Sequence, residues 1–189
     1  MTAAFDTTAA LLQEQDCELR PYQADAIAKV EEAIEQGIRR IMLMAATGSG
    51  KTLIASSIVS NLHNQSRPPA IFTVPALELI DQTLEKFHAA GIYDVGVMQA
   101  QHRLTDSSQP IQIASVQTLM RRDIPPADLV FVDEAHRWFD FYRRWFLDLE
   151  WANVPFIGLS ATPWTKGLGA YYERLIIADL PRINSDSRE

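Results

Sequence analysis

Apolar residues recur along the chain in two alternating rhythms. Unbroken apolar runs at 40–45 (Arg-Ile-Met-Leu-Met-Ala), 70–74 (Ala-Ile-Phe-Thr-Val), 128–132 (Asp-Leu-Val-Phe-Val) and 155–159 (Pro-Phe-Ile-Gly-Leu) read as strands buried on both faces. Between them the period becomes helical. Pro21 opens a helix whose residues Ala26, Ile27, Val30, Ala33 and Ile34 share one stripe, and Gly37 stops it. Residues 53–62 align Ile54, Ile58 and Leu62, and residues 77–88 turn Leu77, Ile80, Leu84 and Phe87 inward. Residues 94–98 and 111–114 are two further strands around a polar loop, and 155–159 is the last strand the pattern predicts. Ser66-Arg67-Pro68-Pro69 is a turn, Pro75 ends a strand, and Pro125-Pro126 precedes the acidic one. Strands alternating with helices predict an α/β fold, a three-layer sandwich on a mainly parallel sheet.

Composition adds bounds. A chain of 189 residues allows one domain with a sizeable core, and 47% hydrophobic with 22% charged residues is ordinary for a soluble globular protein. No stretch reaches the apolar length of a membrane span, and the first residues lack a charged secretory leader. The single cysteine, Cys17, excludes an internal disulfide and reads as a small buried hydrophobe, so cytoplasm is the default compartment. Seventeen basic and 24 acidic residues give a net charge of −7, which argues against gripping nucleic acid by bulk electrostatics. A local basic track remains open at Arg121-Arg122 and Arg143-Arg144, which also read as solvated charge.

Two motifs carry chemistry. The first is Ala45-Ala46-Thr47-Gly48-Ser49-Gly50-Lys51-Thr52, between a predicted strand and a predicted helix. That context makes it a phosphate loop. Gly48 and Gly50 let backbone N–H groups, Thr47 and Ser49 among the loop's residues, curl around phosphate oxygens, and the helix N-terminus adds partial positive charge. Lys51 reaches the outer phosphates, and the Thr52 hydroxyl is a Mg²⁺ ligand. The second is Asp133-Glu134-Ala135-His136 at a strand's C-terminal end, the edge where open α/β sheets bind ligands. Asp133 is the expected Mg²⁺ ligand and Glu134 the expected general base for an attacking water. Together the motifs predict ATP binding and hydrolysis.

With those residues in place, the chain resembles the first RecA-like motor domain of superfamily 2 helicases and translocases, in the DEAD/DEAH-box group that includes type III restriction-enzyme helicase subunits. The resemblance covers roughly residues 19–165. It explains Ala45, since the family's phosphate loop is similar to Ala-x-x-Gly-x-Gly-Lys-Thr. Leu19-Arg20-Pro21-Tyr22-Gln23 resembles the adenine-reading segment, which implies Gln23 as adenine ligand and Arg20 as its helper. The segment from Val74 to Gln82 resembles a motif on the nucleic-acid backbone, implicating Pro75 and Gln82, although Ala76 stands where relatives often carry Thr or Arg. Ile113–Leu119 resembles the next strand-contacting motif, implicating Ser115, Gln117 and Thr118. Ser160-Ala161-Thr162-Pro163 resembles the motif coupling ATP state to movement, through Ser160 and Thr162, with His136 facing the γ-phosphate side and a partner domain.

The resemblance implies residues 1–18 as an N-terminal extension, 19–178 as the ATP-binding domain and 179–189 as a polar tail. A second RecA-like domain, with its arginine finger, would be supplied in trans or lost by truncation. The implied function is a DEAH-type motor moving on nucleic acid, DNA before RNA. The alternatives are a nucleotide-dependent binding or regulatory module with little turnover, and a P-loop ATPase unrelated to nucleic acid. Trp138, Phe141, Tyr142, Trp145 and Phe146 lie at i, i+3, i+4, i+7 and i+8. That aromatic face packs either into the domain's own core or against another domain or stacked bases.

Overall fold

The computed structural model describes residues 19–63, 69–99, 101–137, 140–162 and 167–178. Expectations at Cys17, Ser66–Pro68, Trp138, Pro163 and both chain ends, and for the side chain of Leu62, lie outside these residues. Helix α1 spans Pro21–Glu35, followed by β1 (Arg40–Ala45), α2 (Lys51–His63), β2 (Ala70–Val74) and α3 (Leu79–Ala89). Next come β3 (Val95–Val97), β4 (Ile111–Ser115), the single turn α4 (Val116–Leu119) and β5 (Leu129–Val132). Helix α5 (Asp140–Leu147), β6 (Phe156–Ser160) and β7 (Arg174–Ala178) complete the order.

The seven strands form one sheet in the order β3-β4-β2-β5-β6-β1-β7. Every pair is parallel. Side chains alternate across it, as the period of two requires. Ile41, Leu43, Phe72, Val74, Phe131, Ile157 and Leu159 face α1, α2 and α3 in one core. Met42, Ile71, Val130, Val132 and Phe156 face α4 and α5 in the other. The continuous apolar runs therefore cover a sheet sealed on both sides.

One strand is added, one expectation changes and one open alternative is decided. β7 was not predicted, because only its alternate residues Ile176 and Ala178 are buried while Leu175 and Ile177 are 40% exposed. Leu77 is also 40% exposed and precedes α3, since the turn at 76–79 delays the helix. The aromatic face of α5 belongs to the core: Tyr142, Trp145 and Phe146 are buried, with Trp145 meeting Trp151 and Phe156 edge-on at 5.1 Å. No described helix is long and apolar enough to cross a membrane.

Candidate nucleotide site at the sheet edge

β1 ends in the glycine loop and β5 in the acidic box, with only β6 between them. At ordinary strand spacing the two motifs face each other across about 10 Å. Gly48 and Gly50 have φ of 77° and 84°, and α2 begins at Lys51, so the loop feeds directly into a helix N-terminus. The Lys51 ammonium donates to the Ala45 carbonyl at 3.3 Å and lies 3.5 Å from that of Ala46, arching over the loop. Thr47 is exposed, Thr52 half-buried, and Ser49 buried with its hydroxyl unpartnered in the structure.

The loop's shape is held from α1. Tyr22 Oη and Gln23 Nε2 both donate to the Ser49 carbonyl, at 2.9 and 2.8 Å, and the Gln23 amide oxygen accepts the Arg20 backbone N–H at 2.8 Å. Gln23 is 4% exposed and Arg20 is exposed. Sequence reasoning missed the role of Tyr22, whose partner lies 27 positions away.

The acidic box contains a backbone switch. Asp133 N–H continues β5 by donating to Thr73 of β2, at 3.0 Å, while Ala135 N–H donates to Leu159 of β6, at 2.8 Å. Residues two apart in a regular strand bond to the same neighbour. Glu134, at a φ of 51°, breaks that rule and turns the chain from one neighbour to the other. Asp133 Oδ1 accepts the Glu134 N–H at 3.0 Å. Burial, reinforced by the Glu134 charge, holds the Asp133 carboxyl above its usual range, and Lys51 only partly offsets this.

His136 closes the cluster. Its Nδ1 lies 3.1 Å from Glu134 Oε2 and 3.2 Å from Ser160 Oγ. Ser160 Oγ in turn accepts the Thr162 N–H at 3.0 Å, and Met44 of β1 is level with Ser160. The structure thus brings Lys51, Asp133, Glu134, His136, Ser160 and Thr162 to one end of three neighbouring strands. Pro75 and Ser115 lie at the ends of β2 and β4, farther along the same edge, with Gln117 and Thr118 in α4 and Gln82 in α3. There, Gln82 and Gln117 are exposed and Thr118 is half-exposed. Ser115 is fully buried, its hydroxyl capping α4 through the Thr118 N–H at 3.2 Å. Gln117 Nε2 reaches the carbonyl of the buried Pro75 at 3.4 Å.

The sequence of residues 16–165 matches the family model described as type III restriction enzyme, res subunit. The chain belongs to this family. A Saccharomyces cerevisiae protein named as an ATP-dependent helicase, IRC3, is 33% identical over 162 residues, 76% of this chain and 23% of that protein. The type I restriction enzyme EcoKI endonuclease subunit of Escherichia coli is 35% identical over 136 residues, 63% of this chain and 12% of that subunit. The chain thus spans less than a quarter of either relative. The fold matches the Sulfolobus solfataricus SWI2/SNF2 ATPase core, solved with double-stranded DNA, at a TM-score of 0.64 and 18% identity over 84% of this chain and 36% of that one. The chain is thus a helicase-family domain with a RecA-like parallel sheet.

The residues present fit a magnesium–nucleotide ligand. A glycine loop with an unspent buried hydroxyl, a lysine and a helix start face an acidic pair. No group of three or more His, Cys, Asp or Glu side chains among the described residues could hold a metal by itself.

Two further residues were not legible in the sequence. Tyr142 Oη is 2.8 Å from Thr73 Oγ1, beneath the residue whose carbonyl receives Asp133, and burial pushes its phenol well up. Arg40, 9% exposed, donates to the carbonyls of Val154, Phe146 and Trp151 and lies 4.5 Å from the Phe156 ring centre. It fastens the aromatic layer to β1, and burial lowers its pKa.

Proposed function

We propose that this domain binds ATP with Mg²⁺ and hydrolyses it as one half of a DEAH-type motor moving on DNA. The observation that carries the reading is the placement of the Lys51 loop and the Asp133-Glu134 pair on either side of β6. Backbone N–H groups from Gly48 to Thr52 and the Lys51 ammonium cradle the phosphates. Thr52 and Asp133 hold Mg²⁺, which neutralises phosphate charge when bound. Gln23 and Arg20 border the adenine side, and the Gln23 amide keeps one N–H and one lone pair beyond its two bonds to the protein.

Glu134 is the general base. His136 engages Oε2 and leaves Oε1 for the attacking water, which surrenders its proton there. His136 and Ser160 then form a direct bonded route from that base to the β6 end, so a change at Glu134 is felt at Thr162. Gln82, Gln117 and Thr118 form a polar strip suited to a nucleic-acid backbone, with Pro75 and Ser115 shaping it from beneath. A second RecA-like domain completes the site and supplies the arginine that stabilises the transition state.

The test is ATP turnover by the wild type and Glu134→Gln, with and without single-stranded DNA. The expected result is slow, DNA-stimulated turnover in the wild type, and nucleotide binding without turnover in the variant. Equal turnover in both overturns the assignment of Glu134. Nucleotide and DNA binding with no wild-type turnover favours the regulatory-module reading.

A further inference from the structure

Beyond α4 the chain makes a feature that none of the motifs claims. Val116 and Leu119 are buried, so this single turn presents its other side to solvent. Gln117 is exposed, and Met120, which caps the turn, is 57% exposed. The Arg121 N–H returns to the Thr118 carbonyl at 3.1 Å, and the turn therefore continues into Arg121, with Arg122 next in the chain. Both arginines are exposed. With Met120 and Asp123 they line a broad, open depression of about 640 Å³.

Three other arginines are already engaged by the protein itself. Arg39, Arg40 and Arg174 donate to Ile34, to carbonyls of the aromatic layer and to Gln36. Arg121 and Arg122 make no ion pair among the described residues. Two guanidinium groups face one carboxylate, Asp123, on a chain whose net charge is −7. The exposed Met120 lies in the chain between these cations and the strip at Gln117 and Thr118. A guanidinium fork matches a phosphate, and an exposed methionine packs on flat apolar faces or enters a base step. An acidic peptide would use the cations but not the methionine. A polynucleotide strand uses both.

We propose that Met120, Arg121 and Arg122 extend the nucleic-acid track. A single strand crossing Gln117 and Thr118 continues over the Met120 side chain and lays two phosphates on Arg121 and Arg122. This rests on the nucleic-acid reading above and adds to it a stretch of surface, a base contact and two phosphate contacts.

The experiment is fluorescence anisotropy of a labelled oligothymidylate with the 189-residue chain, from about 50 to about 200 mM salt. Arg121→Ala/Arg122→Ala is compared with Arg143→Ala/Arg144→Ala, an exposed pair on α5 with the same change of charge. The first variant should lower the slope of log affinity against log salt by about 1.4, two single-strand phosphate contacts. The α5 pair should leave the slope near the wild-type value. Met120→Ala should weaken binding about three- to tenfold with the slope unchanged, because its contact is uncharged. All three positions are exposed and should leave ATP-analogue binding unaltered. An unchanged slope in Arg121→Ala/Arg122→Ala, or an equal loss in the α5 pair, overturns the proposal while leaving the nucleic-acid reading intact. A wild type that fails to bind the oligonucleotide even at the lowest salt overturns that reading and the proposal with it.

Discussion

A β-carbon on Gly50 would stand 2.6 Å from the Gln23 amide nitrogen. The phosphate loop and the first helix are thus fitted to each other with no room for a methyl group. Gly50→Ala therefore meets two costs. A left-handed alanine costs about 1–2 kcal/mol. Gln23 must also move and release the Ser49 carbonyl. Thermal denaturation should show a fall of at least about 2–4 °C, the equivalent of one kcal/mol in a domain of this size. Titration with a fluorescent ATP analogue should show weaker binding.

Lys51→Ala leaves the fold intact, since among the described residues the ammonium bonds only to two loop carbonyls, at 3.3 and 3.5 Å. Nucleotide affinity should drop about 10- to 100-fold, the loss of a charge-assisted contact to phosphate. Isothermal titration with Mg-ATP measures this, and an unchanged melting temperature separates it from misfolding.

Asp133 gives a signed pH prediction. Its folded pKa is raised, so the folded state holds the proton more tightly than the unfolded chain does. Ionised Asp133 then costs stability, and the cost sets in as pH rises from the ordinary carboxylate range through the raised folded pKa. Asp133→Asn should melt higher than the wild type at neutral pH without nucleotide. The difference should shrink at acid pH, where both side chains are neutral. The same variant should lose the stabilisation that Mg-ATP gives the wild type. Melting curves across pH, with and without Mg-ATP, read both effects.

Tyr142→Phe keeps the ring in the core but leaves Thr73 Oγ1 without its 2.8 Å partner. An unpaired buried hydroxyl costs about 1–3 kcal/mol. Because the Thr73 carbonyl receives the Asp133 N–H, loosening should reach the acidic box. Urea denaturation should show the loss, and the Mg²⁺ concentration for half-maximal nucleotide binding should rise.

The described residues make one RecA-like sheet, and strand separation needs two domains that close on each other. The isolated 189-residue chain should bind Mg-ATP yet leave a fluorescent duplex with a single-stranded overhang intact. Unwinding that rises steeply with protein concentration would indicate self-assembly, and robust unwinding by a verified monomer would show that one half suffices.

The buried strands were legible because their apolar runs are continuous, and β2 occupies the residues read as 70–74. Helix starts were less so: Leu77 continues the apolar spacing of α3 but belongs to the preceding turn. The glycine loop and the acidic box stood out because each is a contiguous stretch, and the structure brings both to one sheet edge. The bonds that hold them are not. Tyr22 to Ser49, Tyr142 to Thr73 and His136 to Ser160 join residues 27, 69 and 24 positions apart, and neither periodicity nor motif spacing reports such pairs. Ser115 shows the converse, since a motif-like serine turns out to be spent on its own helix cap.

The outermost strand bears on how this domain can be cut from a longer chain. The family match stops at residue 165, but β7 runs from Arg174 to Ala178 and lies against β1 along its whole length. Just before it, Glu173 receives the backbone N–H groups of Arg39 and Arg40 at 2.8 and 2.9 Å. A fragment trimmed to the homologous boundary would turn the strand that carries the phosphate loop into a bare, apolar rim, open to pairing with any other copy. Expression limits placed after Ala178 keep that rim covered. Limits placed at 165 should give protein that aggregates for reasons unrelated to nucleotide.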